Sequence, residues 1–155
     1  MLFYLVAYAA TNLAAFFAVI AASSSTGSDL ISSYAGMGRR APLLALVLAF
    51  SMVSLTGIPP AAGFMGKLYI FSAAVRSDLV WLAIVGVVNS VISAYYYLKV
   101  VRVMYMMPPA SEERLPVAYA PQAALYITGL GILALGIFPG PLISLAERAV
   151  AVLLP

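Results

Sequence analysis

The sequence predicts an all-α membrane protein, a polytopic bundle of about four transmembrane helices followed by a short C-terminal interfacial helix. Its 155 residues are 65% hydrophobic and only 8% charged. Soluble domains carry about 25% charged residues, so this chain has too little polar surface for a water-soluble globule. The apolar runs are long and continuous, without the alternation of barrel strands. In lipid only helices and closed barrels satisfy the hydrogen bonds of the backbone, so we predict helices.

Composition excludes several kinds of site. The chain has no Cys and no His, which removes disulfides, iron–sulfur clusters, His-ligated haem and most zinc or copper sites. The net charge of +3 is spread over separated loops and forms no basic patch suited to nucleic acid. We therefore expect no metal and no cofactor in this chain, no nucleic-acid partner, and the lipid bilayer as its surroundings.

Four apolar runs form the predicted spans, because a bilayer core of about 30 Å needs roughly 20 helical residues. They cover residues 3–22, 43–76, 79–106 and 120–139, within a single membrane domain of residues 1–155. The serine-rich stretch 23–28 is expected to be a flexible linker. The tail 142–154 is too short to cross and is interrupted by Glu147 and Arg148, which favours an interfacial or partner-packed helix. Met1 leads directly into the first run, so we expect no cleaved signal peptide.

The basic residues predict the orientation. With four crossings, five of them lie on one side (Arg39, Arg40, Lys99, Arg102 and Arg114) and two on the other (Arg76 and Arg148). By the positive-inside rule, the loops 23–42 and 107–119 are cytoplasmic and both chain ends lie on the opposite side.

The second run contains a break. It is longer than a simple span, and its excess contains Gly57, Pro59, Pro60 and Gly63. Prolines remove backbone donors and clash with the preceding turn, while glycines permit the dihedral angles needed to leave and re-enter a helix. We predict two half-helices, 43–56 and 64–76, joined by an extended stretch, 57–63, at membrane depth. Broken helices of this kind are typical of ion-transporting proteins.

Two alternatives to this interrupted crossing are a kink with no transport role and a re-entrant hairpin. The hairpin would place Arg76 beside Arg39 and Arg40 and send the 107–119 loop to the opposite side. The basic residues would then divide four against three and nearly abolish the orientation signal, which favours the interrupted crossing.

Lys67 lies about 13 Å along the second half-helix from Arg76, close to the midplane of a core about 30 Å thick. Intramembrane lysines are rare and mark ion or proton paths. All five acids lie in loops or in the tail (Asp29, Asp78, Glu112, Glu113 and Glu147). Burial disfavours the charged form of a lysine, so Lys67 is a candidate proton site. The alternative is a structural lysine that caps backbone carbonyls at the break.

Lys99 and Arg102 lie near the end of the third span, where snorkelling to the cytoplasmic surface explains both. The alternative for Lys99 is a site on a proton path, at its cytoplasmic side. The tyrosines 95–97 are typical of an interfacial aromatic belt with a helix-packing side, with a hydroxyl relay as the alternative. Small residues of the same span, including Gly86 and Ser90, are expected to serve close helix packing.

Three stretches carry a family resemblance: 54–67, which contains G-I-P-x-x-x-G-F-x-G-K, then 89–100, and 34–42 before the break. Together with the first span and the ending at 138–140, they resemble the subunit N family of NADH–quinone oxidoreductase, the proton-translocating respiratory complex I. The resemblance covers the C-terminal part of that subunit, the last four of its roughly fourteen helices in two inverted repeats.

The resemblance implies a non-redox subunit of a translocase in the cell membrane, with Lys67 on its proton path. Lys99 stands where the family commonly places a basic residue. NADH, flavin, iron–sulfur clusters and quinone would belong to partner subunits, both membrane and peripheral. Two alternatives remain: a subunit of a multi-subunit cation/proton antiporter, which resembles the same fold, and a truncated membrane fragment without transport activity.

Overall fold

The computed structural model describes residues 2–109, 111, 113–115 and 119–153, with the side chains of all but 119, 120 and 147–153. The described part therefore does not include Met1, Glu112 or the side chains of Glu147 and Arg148, which are predicted to interrupt the apolar tail. Within that part, every regular element is helical. The elements are α1 (Leu2–Thr26), a 3₁₀ turn (Ile31–Tyr34), α2 (Met37–Arg40), α3 (Pro42–Thr56), α4 (Ala62–Arg76), α5 (Val80–Met106), α6 (Tyr119–Ile137) and α7 (Gly140–Leu153).

α1 runs four residues beyond the predicted end of the first span. The prediction of a flexible linker from Ser23 was therefore wrong for its first four residues, which are helical. In this last turn the Thr26 hydroxyl donates to the Ala22 carbonyl at 2.9 Å, so it bonds to its own helix. The helix ends at Gly27, whose left-handed backbone donates its N–H to the Ser23 carbonyl at 2.8 Å.

α1 is the central helix of the bundle and packs against α3, α4 and α6. Its buried side is made largely of alanines, including Ala7, Ala14 and Ala18. Small side chains let neighbouring helices approach closely, so van der Waals contact is extensive where no hydrophobic driving force from water exists. α3 contributes larger buried side chains, among them Leu44 and Leu48, to the same core.

Helix lengths bear on membrane crossing. Within the described residues, α1 and α5 are each long and apolar enough to cross a bilayer, and α6 with α7 would form a third span, bent by 81°. α3 and α4 have 15 residues each, about 22 Å at 1.5 Å per residue, which is too short for either alone. α7 begins at Gly140, directly after the bend, where the sequence predicts a separate short helix.

α3 ends at a glycine turn. Gly57 adopts a left-handed conformation (φ 91°), which glycine reaches without steric cost. Its N–H donates to the Ser54 carbonyl at 3.0 Å, and the N–H of Ile58 donates to the Val53 carbonyl at 3.2 Å. This pair of bonds is a Schellman motif, a common way for a helix to stop.

α4 begins earlier than predicted. The sequence predicts a break over residues 57–63, but only 57–61 lie outside the helices, and Gly63 belongs to the first turn of α4. The Gly63 N–H donates to the Ser54 side-chain oxygen at 3.1 Å. Ser54 thus caps the start of α4 from a different helix, which lets α4 form two residues sooner.

α6 covers the end of the break that leads into α4. A side chain at Gly136 of α6 would overlap the Pro60 carbonyl oxygen, and its Cβ would lie 2.8 Å from the Ala62 nitrogen. The backbone of α6 therefore rests directly on the interrupted segment. Irregular backbone away from water needs such cover by protein, because lipid offers its polar groups no partners.

Two loops meet at one end of the bundle. The N–H of Leu115 donates to the Arg40 carbonyl at 3.1 Å, and the Arg40 Nε donates to the Glu113 carbonyl at 3.2 Å. The segment that ends α2 and the segment that precedes α6 therefore lie on the same side. Phe3, near the start of α1, makes an edge-on ring contact with Tyr69 in the later half of α4, at a centroid distance of 5.8 Å.

Ser54→Ala should destabilise the protein, because it leaves the part-buried Gly63 N–H without its acceptor. We expect the free energy of unfolding to fall by about 1–3 kcal/mol. Ser51→Ala is the matched control: both serines are fully buried in α3, but the Ser51 hydroxyl bonds only to Val47 of its own helix. Thermal unfolding in detergent measures both. Equal melting temperatures for the two variants would contradict the capping role of Ser54.

Gly136→Ala should lower thermal stability by about 1–3 kcal/mol, because the added methyl overlaps the backbone of the break. Gly131→Ala, one and a half turns earlier in α6, is its control, since a Cβ there meets nothing within 4 Å. Gly131→Ala should be neutral or stabilising, as alanine favours helix. A Gly136→Ala variant as stable as Gly131→Ala would show that α6 does not rest on the break.

Candidate functional site

Lys67 reaches back across the break from the second turn of α4. Its stem passes close over Gly57, where a Cβ would lie 2.9 Å from Lys67 Cδ. Its Nζ donates to the Leu55 carbonyl at 2.9 Å and to the Thr56 carbonyl at 3.0 Å. Both partners are main-chain oxygens in the last turn of α3. Glycine at position 57 thus serves two purposes, the left-handed turn and the passage of the lysine stem.

Each of the last four carbonyl groups of α3 has a hydrogen-bond partner. An α-helix leaves its last four carbonyls without partners in the helix. The turn at Gly57 and Ile58 satisfies those of Val53 and Ser54, and Lys67 satisfies those of Leu55 and Thr56. The C-terminal end of a helix carries partial negative charge, which favours an ammonium group there. Lys67 therefore has the geometry of a structural lysine that caps backbone carbonyls, the alternative to a proton site.

Thr11 joins α1 to the break. Its hydroxyl donates to the Ala7 carbonyl at 2.7 Å and lies 3.2 Å from the Ser54 hydroxyl, and both side chains are almost completely buried. Thr11 lies about 14 Å along α1 from Leu2 and about 22 Å from Thr26, at 1.5 Å per residue. The break is therefore level with the interior of α1, well away from either of its ends.

A cleft of about 450 Å³ opens beside Lys67, between α1, α3, α4 and α5. Much of its wall surface is apolar, but hydroxyl and amide groups from α1, α3 and α5 also line it. The polar wall residues are Tyr4, Tyr8, Thr11, Ser54, Asn89, Ser90, Ser93, Tyr96 and Tyr97. A cavity of this size with several polar groups is suited to hold water molecules. The amine of Lys67 is the one basic group in these walls.

The other predicted residues are divided between the site and its surroundings. Gly57 and Gly63 lie beside Lys67 and Ser54, whereas Pro59 and Pro60 form the exposed loop and are joined by a cis peptide bond. Lys99 is exposed and lies outside the cleft walls, one turn beyond Tyr96. Within the described residues, no cluster of three or more carboxylates could hold a metal ion.

α5 bears out the packing expected of its small residues. A Cβ at Gly86 would lie 2.5 Å from the Phe71 ring, so glycine lets α5 approach α4 closely. Of the three tyrosines, Tyr95 is 77% exposed while Tyr97 packs partly against the core. Ser90 also lines the cleft, although its hydroxyl bonds within α5 to the Gly86 carbonyl.

Thr11, Ser54 and Asn89 were not singled out from the sequence. Their signal was a polar side chain inside an apolar run. That signal is weak for hydroxyl residues, since Ser and Thr in membrane helices commonly bond to their own backbone. Their position around Lys67 depends on how α1, α3 and α5 pack, which local sequence does not show.

Comparison with known proteins gives the family. The family described as "NADH:quinone oxidoreductase/Mrp antiporter, TM" matches residues 1–93. NADH-quinone oxidoreductase subunit N from Dehalococcoides mccartyi is 50% identical over 149 residues, which are 96% of this chain and 31% of the relative. F(420)H(2) dehydrogenase subunit N from Methanosarcina mazei is 37% identical over 162 residues, covering 98% of this chain and 33% of the relative.

A solved structure shows the same arrangement of helices. A chain of respiratory complex I from Thermus thermophilus with bound aureothin is 33% identical, with a TM-score of 0.76 over 90% of this chain and 33% of that chain. This chain thus spans about a third of the length of the relatives it matches. Sequence and structure agree on one assignment: the chain belongs to the membrane subunit family of NADH:quinone oxidoreductases and Mrp antiporters, with relatives that are N subunits.

Proposed function

We propose that the chain is part of a proton-translocating membrane-arm subunit of NADH–quinone oxidoreductase. Protons move through it by way of Lys67, while electron transfer from NADH to quinone takes place in other subunits. The observation that carries this proposal is an amine placed at a helix break and beside a cleft that hydroxyl and amide groups help to line. The chain's 50% identity to an N subunit supplies the context. Partners are then the other membrane and peripheral subunits of that complex.

The relatives support a role apart from the electron donor. One is named for NADH and another for F(420)H(2), yet each matches nearly the whole of this chain. A segment shared between complexes with different donors is better suited to a step common to both than to donor chemistry. Proton movement coupled to electron transfer is such a step, and it needs no redox group in this chain.

We further propose that α3 and α4 form one interrupted crossing. Each is too short to cross alone, and α1, α5 and the bent pair of α6 with α7 supply the remaining three crossings. The hairpin alternative would send the loop before α6 to the side opposite α2. The hydrogen bonds of Arg40 with Glu113 and Leu115 join these segments, which supports the interrupted crossing. The excess of basic residues then favours the cytoplasm for this end of the bundle.

Proton release by Lys67 changes the number of N–H groups that it can donate to α3. Protonated Lys67 has three N–H groups, of which two bond to Leu55 and Thr56. On losing a proton to water in the cleft, the amine becomes neutral, gains a lone pair and keeps only two N–H groups. Its hydrogen bonds also lose their charge-assisted strength. The charge on Lys67 and the geometry of the break are thereby coupled, since release of the proton weakens the cap on α3.

A cation/proton antiporter subunit is the second candidate, because the family description names Mrp antiporters as well. The same lysine and cleft would serve there, with a metal cation exchanged for the proton. The named relatives are N subunits of dehydrogenases, which favours the first candidate. Dependence of proton movement on sodium ions would favour the second.

Lys67→Arg in the assembled complex should abolish most proton pumping while leaving assembly nearly intact. Arginine keeps a positive charge and several donors for the carbonyls of α3, but it stays protonated in proteins. Lys67→Met removes both the proton site and the cap, so it should lose pumping and also stability. Proton uptake by inverted vesicles measures pumping, and native electrophoresis measures assembly.

Arg76→Gln serves as the control, since it removes one positive charge from the exposed end of the same helix. It should pump like the unaltered complex. Normal pumping by a well-assembled Lys67→Arg complex would show that the cap alone is required, and the proton role of Lys67 would then be abandoned.

A further inference from the structure

A second cavity, of about 240 Å³, lies between the start of α3 and the first half of α6. It is separate from the cleft at Lys67. Two arginines, Arg40 and Arg114, line its rim, and its walls are formed mainly by leucine and tyrosine side chains, together with Gln122. Charged groups on one side and apolar groups on the other make this cavity amphipathic.

The rim presents two positive charges. Arg40 is held in place by the bond from its Nε to the Glu113 carbonyl, a main-chain oxygen. Arg114 is exposed beside it. Two guanidinium groups on one cavity repel each other unless an anion lies between them, and their planar donors match phosphate oxygens. The positive end of α3, which begins at Pro42 beside this rim, adds to the same field.

Apart from Gln122, the walls are mainly apolar and extend away from the rim. Leu43 of α3 faces Leu125 and Tyr126 of α6 across the cavity. Leu125 is fully buried, whereas Tyr126 is 56% exposed. Leu125 lies about 9 Å along α6 from Tyr119, at 1.5 Å per residue. The cavity thus changes from charged to apolar over the distance that separates a lipid headgroup from its acyl chain.

We propose that this cavity binds one anionic phospholipid. Its phosphate lies between Arg40 and Arg114, and the upper part of an acyl chain lies against Leu125 and Tyr126. Basic pockets between membrane helices have the charge and position suited to such headgroups. A free phosphate ion would use the rim but not the walls. Bound there, the lipid joins the segment before α6 to the junction of α2 and α3.

The test uses the full-length subunit in its assembled complex, purified in a mild non-ionic detergent and stripped of lipid. Phosphatidylglycerol is titrated and its binding followed by native mass spectrometry. Arg40→Gln with Arg114→Gln should weaken binding about thirtyfold, the factor for two arginines at about 1 kcal/mol each. The control, Arg39→Gln with Arg76→Gln, removes the same charge from exposed positions outside this cavity and should change nothing.

Further measurements separate the ligand classes. Tyr126→Ser should weaken phosphatidylglycerol but not inorganic phosphate, since it alters only the apolar wall. Arg114→Gln alone, which keeps the bond between Arg40 and Glu113, carries the test if the double variant assembles poorly. Unchanged lipid affinity in Arg114→Gln would overturn the proposal. So would equal binding of phosphatidylcholine, or inorganic phosphate binding as tightly as phosphatidylglycerol.

Discussion

Four carbonyl oxygens at the end of α3 impose the constraint on which the rest of the structure depends. Where a helix stops away from water, each of these groups needs a partner from the protein. The glycine turn supplies two, and the side chain of Lys67, from the next helix, supplies the other two. The break thus fixes the position of a positive charge in an otherwise apolar bundle.

The two halves of the interrupted segment cap each other. α3 gives the Ser54 hydroxyl to the start of α4, and α4 gives the Lys67 ammonium to the end of α3. Thr11 of α1 contacts Ser54, and Gly136 of α6 packs against the end of the break before α4. This reciprocity offers a reason for a lysine at the break, because a lysine can hold backbone and also release a proton, whereas an arginine can only hold.

The sequence predicted the helices well where composition decides them and less well where a distant partner does. Continuous apolar runs and the Gly–Pro stretch located α1, α5 and the break. The break was drawn two residues too long because the cap of α4 is Ser54, nine residues earlier and in another helix. Lys67 was found from its charge, its depth in an apolar run and its place in the motif after the break. Packing between helices determines which carbonyls bind Lys67, forms the cleft beside it and brings Gly136 against the break. No local sequence pattern encodes that packing.

The most direct test is a cryo-electron-microscopy map of the assembled complex in a lipid nanodisc, at a resolution that shows side chains and ordered water. The account predicts that helical density stops at Thr56 and resumes at Ala62. The Lys67 Nζ should lie within about 3.2 Å of the Leu55 and Thr56 oxygens, facing a hydrated cleft. Unbroken helix through 57–61, or a Lys67 side chain directed to the lipid headgroups, would contradict it.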